Sequence, residues 1–229
     1  HIHSDHTGGL SGLLDTGARP TVYVPAAFTA SFKADVRARA GLVEVTEPVE
    51  VFPDVHTTGQ VGSGTVEQAL VVRTGAGGVL VAGCAHPGIA QMARKGKEVA
   101  AGDVTLAMGG FHLGGASQWQ IKDIIAEFRR LGVRRVAPCH CTGERARRML
   151  AIAFGPNCTL SGVGWVVSVG SMDRLGRKPE TGLSHKLLAA FRRAFGRSKG
   201  TKWSPERSYE KVSPRLHTPV TVDSGEYGG

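Results

Sequence analysis

The first ten residues, HIHSDHTGGL, place three histidines and one aspartate in one short segment. In an extended chain, side chains two residues apart point the same way, so His1 and His3 can bind one ion together. The chain must then turn for Asp5 and His6 to face a second ion, and the glycines at 8–9 supply the backbone freedom for that turn. Imidazole and carboxylate groups are common ligands of zinc and similar divalent ions. The segment therefore predicts a metal site that the rest of the fold must complete.

Three further histidines each follow a predicted strand. The strands cover residues 79–82, 104–108 and 133–137, and the histidines that follow them are His86, His112 and His140. Loops at one end of a sheet are where a scaffold brings together side chains that are distant in sequence. We therefore expect these histidines to converge, although a hydrogen-bonded structural role is the alternative for any one of them.

The remaining apolar patterns predict alternating strands and helices. They predict strands at 21–24 and 42–46, a hairpin of 68–74 with 79–82, a helix through Phe28, Phe32 and Val36, and a helix at 118–131 that ends before Gly132. The hairpin and the short strands favour a mixed sheet over a doubly wound parallel one. Periodicity alone gives a mixed α and β protein.

Four separated motifs carry a family resemblance. They are HIHSDH with its glycine-rich turn, GCAHPGI at 83–89, GGFHL at 109–113 and PCHCTG at 138–143. In this order they resemble the metallo-β-lactamase superfamily of metal-dependent hydrolases, in a branch whose members are often named after a dihydropterin ribofuranosyl-aminobenzene phosphate synthase. The resemblance covers about residues 1–170. It implies an α+β fold, the four-layer αββα sandwich. Because family members carry strands before the first motif, it also implies a fragment that is incomplete at its N-terminus.

The resemblance implies a site for two divalent metal ions, with zinc expected and iron or manganese as alternatives. His1 and His3 would bind the first ion with His86, and Asp5 and His6 would bind the second. His140 stands where the superfamily places a late histidine ligand. Most hydrolases of this fold carry a metal-bridging aspartate where this chain has Cys84. A thiolate also binds zinc well, so Cys84 is either a ligand or a core thiol beside a weakened second site.

Four other residues near the motifs receive separate interpretations. His112 is either a ligand or a catalytic group that contacts substrate, because the glycines before it allow close approach to the backbone. Cys139 and Cys141 alternate with His140 and should point away from the face that His140 uses, which predicts a packing role. His56 is a weaker candidate, with an ordinary loop residue as the alternative.

The positive charge of the chain is concentrated near its end. The net charge is +9; residues 1–170 carry 16 Lys and Arg against 13 Asp and Glu, whereas 171–229 carry 12 against 6. This distribution argues against a nucleic-acid-binding body. The composition of 171–229 predicts a basic tail with an amphipathic helix at 181–195 and disorder beyond it. That helix would dock on the domain or, less favoured, rest on an anionic membrane or nucleic acid.

The cysteine count and the lengths of the apolar runs also indicate the cellular compartment. Four cysteines in 229 residues are too few for a disulfide framework, and no apolar run approaches the ~18 residues of a membrane span. We therefore expect a cytoplasmic protein.

Together with the metal motif, the resemblance implies a metal-dependent hydrolase that acts on a small phosphorylated or pterin-like substrate. A metal-activated water would be the nucleophile, and Asp5 would orient it and move its proton. Two alternatives stay open. One is a nucleic-acid phosphodiesterase of the same fold, and the other is a non-catalytic module whose basic tail binds an anionic partner.

Overall fold

The computed structural model describes residues 1–159, 161–162 and 166–167. Three predictions lie outside these residues. They are the tail at 171–229, its helix at 181–195 and the domain boundary near residue 170. The helices are α1 (Ser4–Thr7), α2 (Gly9–Asp15), α3 (Ala30–Arg39), α4 (Ile89–Ala100), α5 (Gln118–Arg130) and α6 (Glu144–Phe154). The strands are β1 (Thr21–Pro25), β2 (Gly41–Val45), β3 (Glu50–Phe52), β4 (Val55–Thr57), β5 (Leu70–Thr74), β6 (Gly77–Ala82), β7 (Val104–Gly110) and β8 (Arg135–Cys139).

A six-stranded mixed sheet forms the centre of the described structure, in the order β3-β4-β5-β6-β7-β8. Neighbouring strands from β3 to β6 are antiparallel, and β6, β7 and β8 run parallel to one another. The predicted hairpin is β5 with β6, in which Val72 pairs with Val79. The predicted mixed sheet is thus confirmed, although β7 and β8 each extend two residues beyond their predicted ends.

A second, two-stranded sheet comprises β1 and β2, which are parallel and joined through α3. The N-cap of α3 is Thr29, whose hydroxyl accepts a hydrogen bond from the Phe32 N–H. This satisfies one of the free amide groups that every helix start presents. The described residues therefore contain two sheets and surrounding helices, which confirms the predicted α+β class.

Helices α4, α5 and α6 contribute the buried core that lies against the six-stranded sheet. The apolar residues of α4 recur at helical spacing, and Gly96 brings the helix close to the strands because a Cβ there would lie 3.1 Å from Leu80 Cδ1. Phe111 and Phe128 are fully buried and pack edge to face with ring centroids 5.7 Å apart. A core of this kind holds the carboxyl ends of β6, β7 and β8 in fixed positions.

Helix α5 begins and ends where the sequence predicts. Its N-cap Ser117 and Gln120 form a capping box, in which each side chain accepts from the other residue's backbone N–H. Gly132 follows the C-cap Leu131 with a φ of +83°, a left-handed conformation that favours glycine. Helices α4 and α6 and the three-residue strands β3 and β4 were not predicted from the sequence.

The parallel arrangement of β6, β7 and β8 decides where the motifs meet. Because the carboxyl ends of parallel strands lie at the same sheet edge, the segments after β6, β7 and β8 share that edge. These segments carry His86, His112 and His140.

Within the part of the chain that the structure describes, no helix has the length and apolar character needed to cross a membrane.

Candidate metal centre

The N-terminal motif turns as predicted, but the turn lies at His3 and not at the glycines of 8–9, since Gly8 has an ordinary right-handed helical conformation and Gly9 begins α2. His3 is extended, with φ −71° and ψ 150°, and serves as the N-cap of α1. The next residues are helical, with the N–H groups of His6 and Thr7 donating to the His3 carbonyl. This change from extended to helical backbone separates His1 and His3 from Asp5 and His6.

A first ligand group consists of His1, His3 and His86, whose side-chain ligand atoms lie within 4.8 Å of one another. His1 Nε2 is 2.9 Å from His3 Nδ1, and the rings of His1 and His86 have centroids 4.6 Å apart. His86 Nε2 is buried and has no hydrogen-bond partner among the described residues. Buried polar atoms are normally satisfied, so this unpartnered nitrogen, on a ring beside those of His1 and His3, fits the role of a metal ligand.

A second ligand group consists of Asp5, His6, Cys84 and His140, again within 4.8 Å. His6 Nε2 is 3.1 Å from Cys84 Sγ, and Asp5 Oδ2 is 3.1 Å from His140 Nε2 and 3.3 Å from His6 Nε2. The two groups adjoin, because the rings of His1 and His6 have centroids 4.2 Å apart.

Burial favours the neutral forms of the His6 and His86 imidazoles and of the Cys84 thiol. Burial lowers the pKa of His6, and burial followed by the charge of His112 lowers the pKa of His86. Burial, followed by a hydrogen bond with Cys141, raises the pKa of Cys84 to about 12. Burial acts to raise the pKa of Asp5, but its backbone hydrogen bond together with His6 and His140 outweighs it and the pKa is lowered. Neutral imidazole and ionised carboxylate are the forms that bind metal.

These donor sets fit divalent metal ions. The first group offers three imidazole nitrogens, a set typical of catalytic zinc, and the second offers nitrogen, oxygen and sulfur. The structure thus brings together the residues that the resemblance assigned to each ion. Whether each one ligates, including the alternatives left open for Cys84, stays a prediction.

A third group of ligating atoms joins Cys84, His112 and Cys141 within 4.8 Å. The expectation that Cys141 points away from the site is wrong, because its Sγ lies 3.5 Å from the Cys84 carbonyl oxygen. The reason is local: His140 adopts a φ of +49° and begins a 3-10 turn, so the side-chain alternation of an extended strand does not apply. Cys139, at the end of β8, lies outside the three groups.

His112 and His140 both occupy the left-handed region, which is uncommon for residues other than glycine. Backbone conformations of this kind cluster at functional sites, where surrounding structure maintains them. The centroids of the His112 and His86 rings lie 4.0 Å apart. His56, by contrast, lies on β4 near Glu50 and belongs to none of the three groups.

Two cavities open beside the ligand groups, and His112 lines both. One, of about 490 Å³, is lined by the loop residues 62–65 together with His86 and Gln91. The other, of about 430 Å³, is lined by residues 113–116 together with Ile124 and Cys141. The first is walled mainly by polar groups and the second by more apolar ones.

One buried residue behind the first group, Glu67, was not found from the sequence. Its carboxylate contacts His1 Nδ1 and accepts a hydrogen bond from the His86 N–H at 3.0 Å. A single glutamate between β4 and β5 carries no sequence pattern that marks it as buried.

Comparison with known proteins agrees with this geometry. No family model matches the chain. It is 28% identical over 200 residues to the 7,8-dihydropterin-6-methyl-4-(β-D-ribofuranosyl)-aminobenzene-5'-phosphate synthase of Methanocaldococcus jannaschii, covering 67% of this chain and 68% of that protein. It is also 34% identical over 74 residues to an uncharacterized protein of the same organism, covering 32% of this chain and 28% of that protein.

A solved structure gives the same result for the fold. The crystal structure of a metal-dependent hydrolase of the β-lactamase superfamily matches with a TM-score of 0.57 and 26% identity, over 69% of this chain and 73% of that one. Both the sequence relative and the structural neighbour carry the names of enzymes. The chain therefore has the metallo-β-lactamase fold predicted from its motifs, and it is a relative of the dihydropterin ribofuranosyl-aminobenzene phosphate synthase.

Proposed function

We propose that this protein is a metal-dependent hydrolase in which a metal-activated water attacks a small phosphorylated or pterin-like substrate. The observation that carries the proposal is the pair of adjoining ligand groups at one sheet edge, next to two cavities. Metal ions bound there would lower the pKa of a bound water towards 7 and polarise the substrate oxygen under attack.

The residues of the chain would divide the remaining work. The carboxylate of Asp5 is half exposed and has a lowered pKa, so it is ionised at neutral pH and in a form that can accept a proton. His140 and His6 hold that carboxylate in place. His112, which lines both cavities, is placed to contact a substrate that occupies either of them.

The cavities favour a small substrate. Volumes of about 490 and 430 Å³ lie in the range of small-molecule sites. The relative's name refers to a dihydropterin and a ribofuranosyl 5'-phosphate, which is why we propose these chemical classes. The four cysteines are free thiols, which suits a reducing compartment, and a cytoplasmic location is part of the proposal.

A second candidate is a synthase reaction at the same site, in which an organic nucleophile takes the place of water. The name of the sequence relative favours it. The hydrolase and the synthase share the metal groups and differ in the attacking group, so product analysis with and without a second substrate distinguishes them. The alternatives that depend on the basic tail rest on residues outside the described ranges.

The test is metal content measured together with turnover. We expect about two ions per chain after reconstitution with zinc, manganese or iron, and hydrolysis of phosphodiesters or phosphorylated pterins. His3→Ala and Asp5→Ala should lose metal and turnover, whereas His56→Ala, a histidine outside the ligand groups, should retain both. A folded protein that binds none of these metals would overturn the proposal.

A further inference from the structure

Glu67 is a carboxylate buried behind the first ligand group. Its side chain is 1% exposed, and its backbone pairs with Val61 through two hydrogen bonds of 2.8 and 3.0 Å. Among the described residues its one ion-pair partner is His1, since no lysine or arginine nitrogen lies within 4.0 Å of it. Burying a carboxylate without such a cation is costly, so its position calls for an explanation other than fold stability.

The two oxygens of Glu67 contact two members of the first group. Oε1 lies against His1 Nδ1, and neither atom has another polar partner in the described part of the chain. Oε2 accepts a hydrogen bond from the His86 backbone N–H at 3.0 Å. One carboxylate therefore connects the start of the chain with the segment that follows β6.

The contact with His1 determines which ring nitrogen faces the other ligands. A carboxylate beside Nδ1 favours the tautomer with the proton on Nδ1, which leaves the lone pair on Nε2. His1 Nε2 is the atom that lies 2.9 Å from His3 Nδ1, inside the first group. The carboxylate thus fixes the orientation of the ring and increases the basicity of the nitrogen that faces the group.

We propose that Glu67 is a positioning residue for the first metal ion, which fixes the His1 tautomer and anchors the backbone that carries His86. This inference rests on the proposed function, because it requires that the first group binds metal. The role of Glu67 also gives a physical reason for tight metal binding by the first group.

The first test compares Glu67→Gln with Glu127→Gln. Glutamine keeps the size of Glu67 and an oxygen for the His86 N–H but removes the charge beside His1. Glu127 is a matched control because its side chain is only 12% exposed and it pairs with Arg94 and Arg130, away from the ligand groups. Zinc affinity is measured by competition with a chromophoric chelator, and the cobalt-substituted proteins are compared by their d–d absorption.

We expect Glu67→Gln to weaken the tighter of the two zinc-binding steps by roughly 10–100-fold and to shift the cobalt spectrum. Glu127→Gln should leave both unchanged. If Glu67→Gln binds both ions like the wild type, this inference is wrong while the proposed function stands. If the wild type binds no metal, the proposed function itself fails.

A second measurement needs no variant and so does not depend on how Glu67→Gln folds. In the zinc-loaded wild type with ¹⁵N-labelled histidine, long-range ¹H–¹⁵N correlation reports the tautomer of each ring. We expect His1 to carry its proton on Nδ1 and its metal on Nε2. A proton on Nε2 would contradict the inference.

Discussion

The two ligand groups differ in how the protein surrounds them. In the first group, the His1 side chain is 1% exposed and has the buried Glu67 behind it. In the second group, the side chains of Asp5, His140 and His6 are 50%, 42% and 22% exposed, and one buried thiol completes the set. Buried contacts with Glu67 restrict His1 and the backbone of His86 before any ion arrives, although His3 is exposed, whereas Asp5, His6 and His140 contact one another nearer the solvent. The first group is thus held by buried contacts at His1 and His86, and the second is the more exposed to solvent.

This contrast implies unequal metal affinity. Ligands that are already oriented lose little conformational entropy when they bind, and a carboxylate behind a histidine strengthens its bond to metal. We expect the first group to fill at lower metal concentration than the second.

The largest effect is expected from His3→Ala, which removes one of three nitrogens from the first group. Binding of the first ion and catalytic turnover should both fall by more than the roughly 10–100-fold typical of changes behind the ligands. Elemental analysis and steady-state kinetics measure the two losses, with His56→Ala as the control. Unchanged metal content in His3→Ala would contradict the assignment of the first group.

Replacement of Cys84 tests the composition of the second group. If the thiol is a ligand, Cys84→Ser should reduce the metal content from about two ions to about one while the first group stays filled. Cys158→Ser, a thiol outside the ligand groups, is the matched control. Retention of both ions in Cys84→Ser would identify Cys84 as a core thiol.

Proton release gives a finer measure of the same residue. Burial and Cys141 raise the pKa of Cys84 to about 12, so in the metal-free protein the thiol is protonated at pH 7. Binding as a thiolate must release that proton, so the wild type should release about one proton more than Cys84→Ser. Calorimetry in two buffers with different ionisation enthalpies measures the difference. Equal release by the two proteins would argue against thiolate ligation.

The smallest effect is the acid sensitivity of the metal-free protein. Burial lowers the pKa of His6 and His86 in the fold from the usual 6.5, so the unfolded chain takes up protons first as the pH falls. Their contribution to stability is present above pH 6.5 and is lost as the pH falls from there towards the folded-state pKa values. Denaturant unfolding with a chelator at pH 7.5 and 5.5 should show lower stability at pH 5.5, and less of a drop for His86→Asn. An equal pH dependence for the two proteins would contradict the assignment.

Much of the fold and of the ligand set was predictable because the signals are local. The HIHSDH motif is contiguous, and each later histidine lies within four residues of the end of a strand of the central sheet. Glu67 and Cys141 were beyond sequence reasoning for physical reasons. The burial of Glu67 depends on tertiary packing, and the direction of Cys141 depends on the left-handed backbone at His140.

The most direct test of the two-group account is diffraction at the zinc absorption edge from crystals equilibrated with increasing zinc. We expect two anomalous peaks, the first to appear lying among His1 Nε2, His3 Nδ1 and His86 Nε2. The second should appear at higher zinc concentration among Asp5, His6, Cys84 and His140. A second-group peak that fills first would contradict the unequal affinity of the two groups, and no peak at either group would contradict their assignment as metal sites.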